Sequence, residues 1–186
     1  MSNLPISGLP EITSLTPNAE FAVAQGGVTY KVKAANVTTG VLYGSFFSDL
    51  DQPISTNVPK AMSANTTDLS SGISVVDGSK FTVSTGGTFN IQFSAQIAQG
   101  SNTAEVGIWL RKNGADVSDS TTVLDLQNNT RYLFALNYYL ELTSGQYVEL
   151  WWASSSSNTT IEYIPLQTTP YNRPAVPSLI VTMSQV

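Results

Sequence analysis

The chain has 186 residues and a net charge of −5, with 11% charged and 41% hydrophobic side chains. That length allows one domain with a full hydrophobic core and a short appendage, without metal or disulfide staples. The absence of His and Cys excludes Ser-His-Asp and Cys-His units, imidazole proton transfer near neutral pH and disulfides, and it leaves zinc without its usual ligands.

The acidic balance makes nucleic acid a poor partner, because Lys31/Lys33 and Arg111/Lys112 are the only close basic pairs. No run of eighteen apolar residues is present, so no membrane-spanning helix is expected. The first basic side chain is Lys31, so the N-terminus lacks the cationic start of a signal peptide. Composition leaves a carboxylate-pair glycosidase open, yet the sequence pairs no two of the thirteen Asp and Glu residues. The expectation is therefore a non-enzymatic protein with no cofactor and no metal.

Residues 1–40 read differently from the rest. Leu4-Pro5-Ile6-Ser7-Gly8-Leu9-Pro10 is extended and turn-rich, since each Pro restrains itself and its predecessor. Ile12 and Leu15 follow. Phe21–Gln25 and Val28–Val32 then flank Gly26-Gly27, a strong hairpin signal. In that register Val23 faces Tyr30 and Phe21 faces Val32 on one apolar side. Ala22/Lys31 and Ala24/Thr29 share the other. An isolated hairpin is marginal in water, so this apolar face must dock on the main domain, a sister chain or a host structure.

From Val41 onward, ten strand signals recur at intervals of about ten residues, the spacing of a sandwich or barrel. They are Leu42–Ser48, Gly72–Val76, Lys80–Ser84, Thr88–Ile97, Ala104–Lys112, Thr122–Leu126, Arg131–Leu142, Gln146–Ser154, Thr160–Ile164 and Ser178–Ser184. Asp77-Gly78, Gly86-Gly87 and Asn113-Gly114 punctuate them. Phe89, Ile91, Phe93, Ala95 and Ile97 share one face of their strand. Tyr132, Phe134, Leu136, Tyr138, Leu140 and Leu142 share one face of theirs. No segment has a helical period.

The blocks GISVVDGSKFTVSTGGTFNIQFSAQI, EVGIWLRKNGADV, LNYYLELTSGQYVELWWASSS and PAVPSLIVTMSQV resemble, in that order, the globular-head jelly roll of complement and tumour necrosis factor proteins. The version found in bacteriophage structural proteins is the most similar. The N-terminal segment resembles the start of phage tail-fibre and virion proteins. Leu9-Pro10, Leu15, Glu20-Phe21, Gly26-Gly27, Thr29, Lys31 and Val32 occupy the places of that pattern.

The resemblance implies an all-β, ten-stranded, two-sheet jelly-roll sandwich over residues 41–186, assembled as a homotrimer, with a small hairpin arm over residues 1–40. It implies a virion structural protein on the particle surface, made in the bacterial cytoplasm: a capsid decoration, a head fibre or a short tail fibre in host attachment. The arm would bind other capsid or tail proteins. Read locally, Arg131–Leu142 and Gln146–Ser154 form a hairpin through Thr143–Gln146; the resemblance places them in opposite sheets. Both readings bury Tyr138, Leu140, Leu150 and Trp152.

Three residue sets follow. Leu4, Ile6, Leu9, Ile12, Leu15, Phe21, Val23, Tyr30 and Val32 are the attachment candidates. Leu133, Ala135, Asn137 and Tyr139, outward on the longest strand, are the trimer-interface candidates. Alternation also turns Glu105, Trp109, Arg111, Tyr147, Glu149 and Trp151 outward. Trp109, Arg111, Tyr147, Glu149 and Trp151 form a candidate host-glycan surface, in which indole and phenol faces stack on sugars and charges orient hydroxyls. Asp49/Asp51 and Asp116/Asp119 lie in loops but lack a full calcium-ligand pattern.

Overall fold

The computed structural model describes residue 16 and residues 18–33 and 40–186, all of them in strands, turns and loops. Leu4, Ile6, Leu9, Ile12 and Leu15 lie outside the described residues. Contacts divide the chain into two units, Met1–Gly40 and Val41–Val186.

Among the described residues of the first unit, β1 (Glu20–Gln25) and β2 (Val28–Lys33) form an antiparallel hairpin. Phe21 pairs with Val32 and Val23 with Tyr30, as the alternation requires. Gly26 and Gly27 have φ of 59° and 78°. Two positive φ values make a type I′ turn, whose twist matches that of the flanking strands. The same turn recurs at Asp77-Gly78 and Asn113-Gly114.

The second unit is a sandwich of two seven-stranded sheets. One contains β3 (Tyr43–Ser48), β4 (Gln52–Pro53), β6 (Thr66–Ser71), β9 (Gly87–Gln99), β13 (Thr130–Leu142), β15 (Thr159–Ile161) and β16 (Leu179–Gln185). The other contains β5 (Lys60–Ala61), β7 (Ile73–Val76), β8 (Lys80–Val83), β10 (Ala104–Lys112), β11 (Ala115–Asp116), β12 (Thr122–Leu126) and β14 (Tyr147–Ser154). All ten expected strands are present. Four more, β4, β5, β6 and β11, raise the count to fourteen. Three of these are two-residue pairings, too short for a period. The fourth, TTDLSS, has no alternation of apolar and polar residues and lies mostly exposed.

The core forms where the inward faces meet. Phe89, Ile91, Phe93, Ala95 and Ile97 of β9 are buried, opposite Ile108, Leu110, Leu150 and Trp152 of the other sheet. Phe46 on β3 and Phe81 on β8 bridge the two layers, with ring centroids 5.4 Å apart. The burial of so much apolar surface is the dominant stabilising term.

β13 pairs with β9 along its whole length, from Thr130↔Gln99 to Leu142↔Gly87. β14 pairs with β10 and β8 in the facing sheet. The local hairpin reading is thus overturned. The Thr143–Gln146 turn is tight, with Gln146 N donating to Thr143 O at 3.0 Å, but the strands leaving it enter different layers. Leu150 and Trp152 are fully buried, whereas Tyr138 and Leu140 are only partly so. The correction has a simple cause: β13 is the end strand of its sheet, so its inward side chains are covered on one flank.

Candidate functional site

The outward faces of the two sheets differ in chemistry. On the β9 sheet, Leu133, Ala135, Asn137 and Tyr139 of β13 all point away from the core and are exposed. Leu133 and Tyr139 are 63% and 65% exposed. The register places Ala135 opposite Ser94 and Asn137 opposite Gln92, and β16 continues the face with Ile180 and Thr182. Gln92, Ser94, Ala135, Asn137, Ile180 and Thr182 line a shallow groove of about 550 Å³. No charged side chain lines this groove.

On the other sheet, the β10–β14 register sets Trp109 opposite Trp151 and Arg111 opposite Glu149. The two indoles lie 6.5 Å apart between ring centroids, tilted by 38°. Each is held by a carboxylate. Trp109 Nε1 donates to Asp116 Oδ1 at 2.8 Å, and Trp151 Nε1 donates to Glu149 Oε2 at 3.3 Å. The Arg111 guanidinium lies 4.3 Å from the Trp151 ring centroid, a cation–π contact. Its Nε stands 3.0 Å from Asp116 Oδ1, an ion pair outside hydrogen-bond geometry, and its other end donates to Gly114 O.

One expectation needs correcting. Glu149 is not part of an exposed surface; it is only 6% exposed. Ser79 Oγ donates to its Oε1 at 2.7 Å, while Trp151 and Arg111 flank it on the face. Alternation correctly turned Glu149 away from the core, but it carries no information about neighbours that cover the outward side. Tyr147 is half-buried under the Lys80 ammonium, 5.4 Å from its ring centroid. Lys80 itself donates to Asp77 at 2.7 Å. That hydrogen bond and the Asp77 charge hold its pKa above 10.5. Trp109, Arg111 and Trp151 are half-buried.

Of the five surface candidates, four are partly accessible and one is structural. Sequence reading missed Asp116 as the shared partner of Trp109 and Arg111. The signal for it is the Asn113-Gly114 turn, which folds β11 back so that Arg111 pairs with Asp116. Among the hairpin candidates, Phe21 and Val32 are half-buried, while Val23 and Tyr30 are 42% and 52% exposed. The loop aspartates act as hydrogen-bond partners: Asn65 Nδ2 donates to Asp49 Oδ1 at 2.5 Å, and Tyr163 N to Asp51 Oδ1 at 2.8 Å. No group of three or more acidic side chains close enough to hold a metal ion exists among the described residues.

No protein-family model matches this chain, and no curated protein matches it either. Solved structures do. Murine APRIL at pH 8.5 superposes with a TM-score of 0.51 and 8% identity, covering 78% of this chain and 99% of its own. Murine APRIL at pH 5.0 superposes with the same score and coverage at 7% identity. The chain therefore carries a tumour-necrosis-factor-like jelly roll. At that identity the likeness concerns fold, and folds host many functions.

Proposed function

We propose that this chain is a bacteriophage virion structural protein: a non-enzymatic, homotrimeric surface knob held on the particle by its N-terminal arm. The observation that carries the assembly half is the outward face of β13. Between Arg131 and Glu141 at its two ends, that face is uncharged from Leu133 to Tyr139, and its two largely exposed apolar side chains, Leu133 and Tyr139, fit a self-complementary interface better than a solvated sheet. The adjoining groove of Ala135, Asn137, Ile180 and Thr182 gives that face relief for a sister chain to fill.

Two further points support the attachment half. The β1–β2 hairpin presents Val23 and Tyr30 to solvent on its apolar side, which favours a partner surface. The surrounding segment carries the virion-type pattern of Leu9-Pro10, Glu20-Phe21 and Gly26-Gly27. The mechanism is adhesive: apolar burial by each arm, multiplied by three linked copies. Capsid decoration, head fibre and short tail fibre all fit, and each places the protein on the particle surface. Its expected partners are copies of itself and other virion proteins, with no nucleic acid and no membrane insertion.

Light scattering of the soluble full-length protein tests the assembly. Three chain masses are expected, and a monomer would overturn the trimer. Electron cryomicroscopy of particles from the producing phage tests the location. A knob with its arm against capsid or tail protein is expected, and absence from purified particles would overturn the virion role.

A further inference from the structure

Beside the indole pair the outer sheet has a gap in its side-chain cover. Next along β10 and β14 come Gly107 and Ala153, paired with each other, and Gly107 also pairs with Val123 of β12. A Cβ built on Gly107 meets nothing within 4 Å, so the floor opens to solvent. One wall is Trp109 and Trp151. The other is the next outward row, where Glu105 pairs with Asp125 and lies beside Ser155. Glu105, Asp125 and Ser155 also line a small cavity of about 330 Å³. From Trp109 to Glu105 is four residues, about 13 Å along the strand.

The acidic wall is unusual. Two like charges directly opposite on a sheet destabilise it. Among the described residues, neither Glu105 nor Asp125 has an ion-pair partner or a side-chain donor to its carboxylate. On the aromatic wall, both indole N–H groups already donate to carboxylates, which fixes the rings. Arg111 covers one face of Trp151 and is itself paired with Asp116. The trough therefore has the half-buried indole row on one side and carboxylate acceptors without side-chain donors on the other.

We propose that this trough is a carbohydrate site, taking neutral pyranose units of a polysaccharide across Gly107 and Ala153. A pyranose has an apolar C–H face and a rim of O–H donors. The C–H face stacks on Trp109, and the hydroxyls donate to Glu105 and Asp125 in charge-assisted hydrogen bonds. The unpaired charge of the trough is negative, so acidic sugars are repelled. Glu149 and Tyr147 lie outside it, and Glu105, Gly107 and Asp125 stand along it. It stands on the β10–β12–β14 geometry alone and is independent of where the protein resides.

Titration calorimetry of the full chain with neutral tetrasaccharides of glucose, galactose and N-acetylglucosamine tests the proposal, with a polysialic fragment as the acidic probe. At least one neutral probe is expected to bind and the acidic one not. Trp109→Ala should weaken binding about tenfold, as loss of one ring stack implies. Gly107→Gln should abolish it by filling the trough, while leaving the melting temperature near that of the parent because the added side chain enters open space. The control Tyr139→Ala, on the opposite sheet, should bind as the parent does. Binding of none of the neutral probes, or binding unmoved in both folded Gly107→Gln and Trp109→Ala, would overturn the site. So would preference for the acidic probe.

Discussion

Trp151 and Trp152 are adjacent in sequence and opposite in role. Trp152 is fully buried, and its Nε1 has no hydrogen-bond partner. An unmade hydrogen bond in the core costs free energy that the ring's packing has to offset. Trp152→Ala is expected to lower stability by about 3–5 kcal/mol, read from the urea midpoint, because it leaves a cavity between the sheets. Trp152→Phe should cost much less, since it keeps a ring and removes the orphan donor. Glu149 behaves in the opposite way. Glu149→Ala leaves Ser79 Oγ and Trp151 Nε1 without an acceptor, with an expected loss of about 1–3 kcal/mol in the same assay. For Lys80 the direction of the pKa shift sets the pH window. Its folded pKa is raised, so the stabilising attraction to Asp77 is fully present below 10.5 and is lost as pH climbs through the folded value. An alkaline stability titration should therefore fall more steeply in the parent than in Lys80→Gln.

The turns at Gly26-Gly27, Asp77-Gly78 and Asn113-Gly114 were readable residue by residue, whereas Gly86-Gly87 leads from one sheet into the other without a positive φ and Gly72 was read as part of a strand. Gly72 links β6 to β7 at φ 70°, and a Cβ there would lie 2.7 Å from Leu42 Cγ and 2.8 Å from Ser84 Oγ. Both the left-handed backbone and the crowding oppose any side chain. Gly72→Ala should destabilise the fold by about 1–2 kcal/mol or more, measurable by thermal unfolding. The pairing β6 makes with β3 also shifts register between Ser45 and Phe46, a bulge. Period-two alternation cannot announce such a slip in a strand as polar as TTDLSS. By contrast β10 and β12 were legible to the residue and β9 nearly so, because one face of each is mostly apolar and the other is not.

At the scale of the molecule, the division into Met1–Gly40 and Val41–Val186 gives the assembly proposal a direct test. A protein truncated to 41–186 keeps the whole buried core. It is expected to melt within a few degrees of the full chain, as differential scanning calorimetry would show, yet to lose attachment to particles. A charge placed in the β13 groove should act the other way. Ala135→Glu buries no charge in the isolated chain, since Ala135 is exposed, but it would be desolvated between copies. The expected result is a folded monomer by light scattering. A trimer that survives Ala135→Glu would move the interface elsewhere.

The sequence by itself determined ten of the fourteen sandwich strands, their inward faces and the two-residue turns at Gly26-Gly27, Asp77-Gly78 and Asn113-Gly114, because side-chain period and turn chemistry are local properties of the backbone. Composition alone removed His- and Cys-dependent chemistry. Only the tertiary structure decided which strands share a sheet, and with it the separation of β13 from β14 across a turn that looks like a hairpin. It also decided what covers an outward side chain: the burial of Glu149 under Ser79, the arginine over Trp151, and the bare floor at Gly107 between an indole wall and an acidic one. These depend on lateral neighbours that a strand acquires only when distant segments pair beside it, and alternation along one strand holds no record of them.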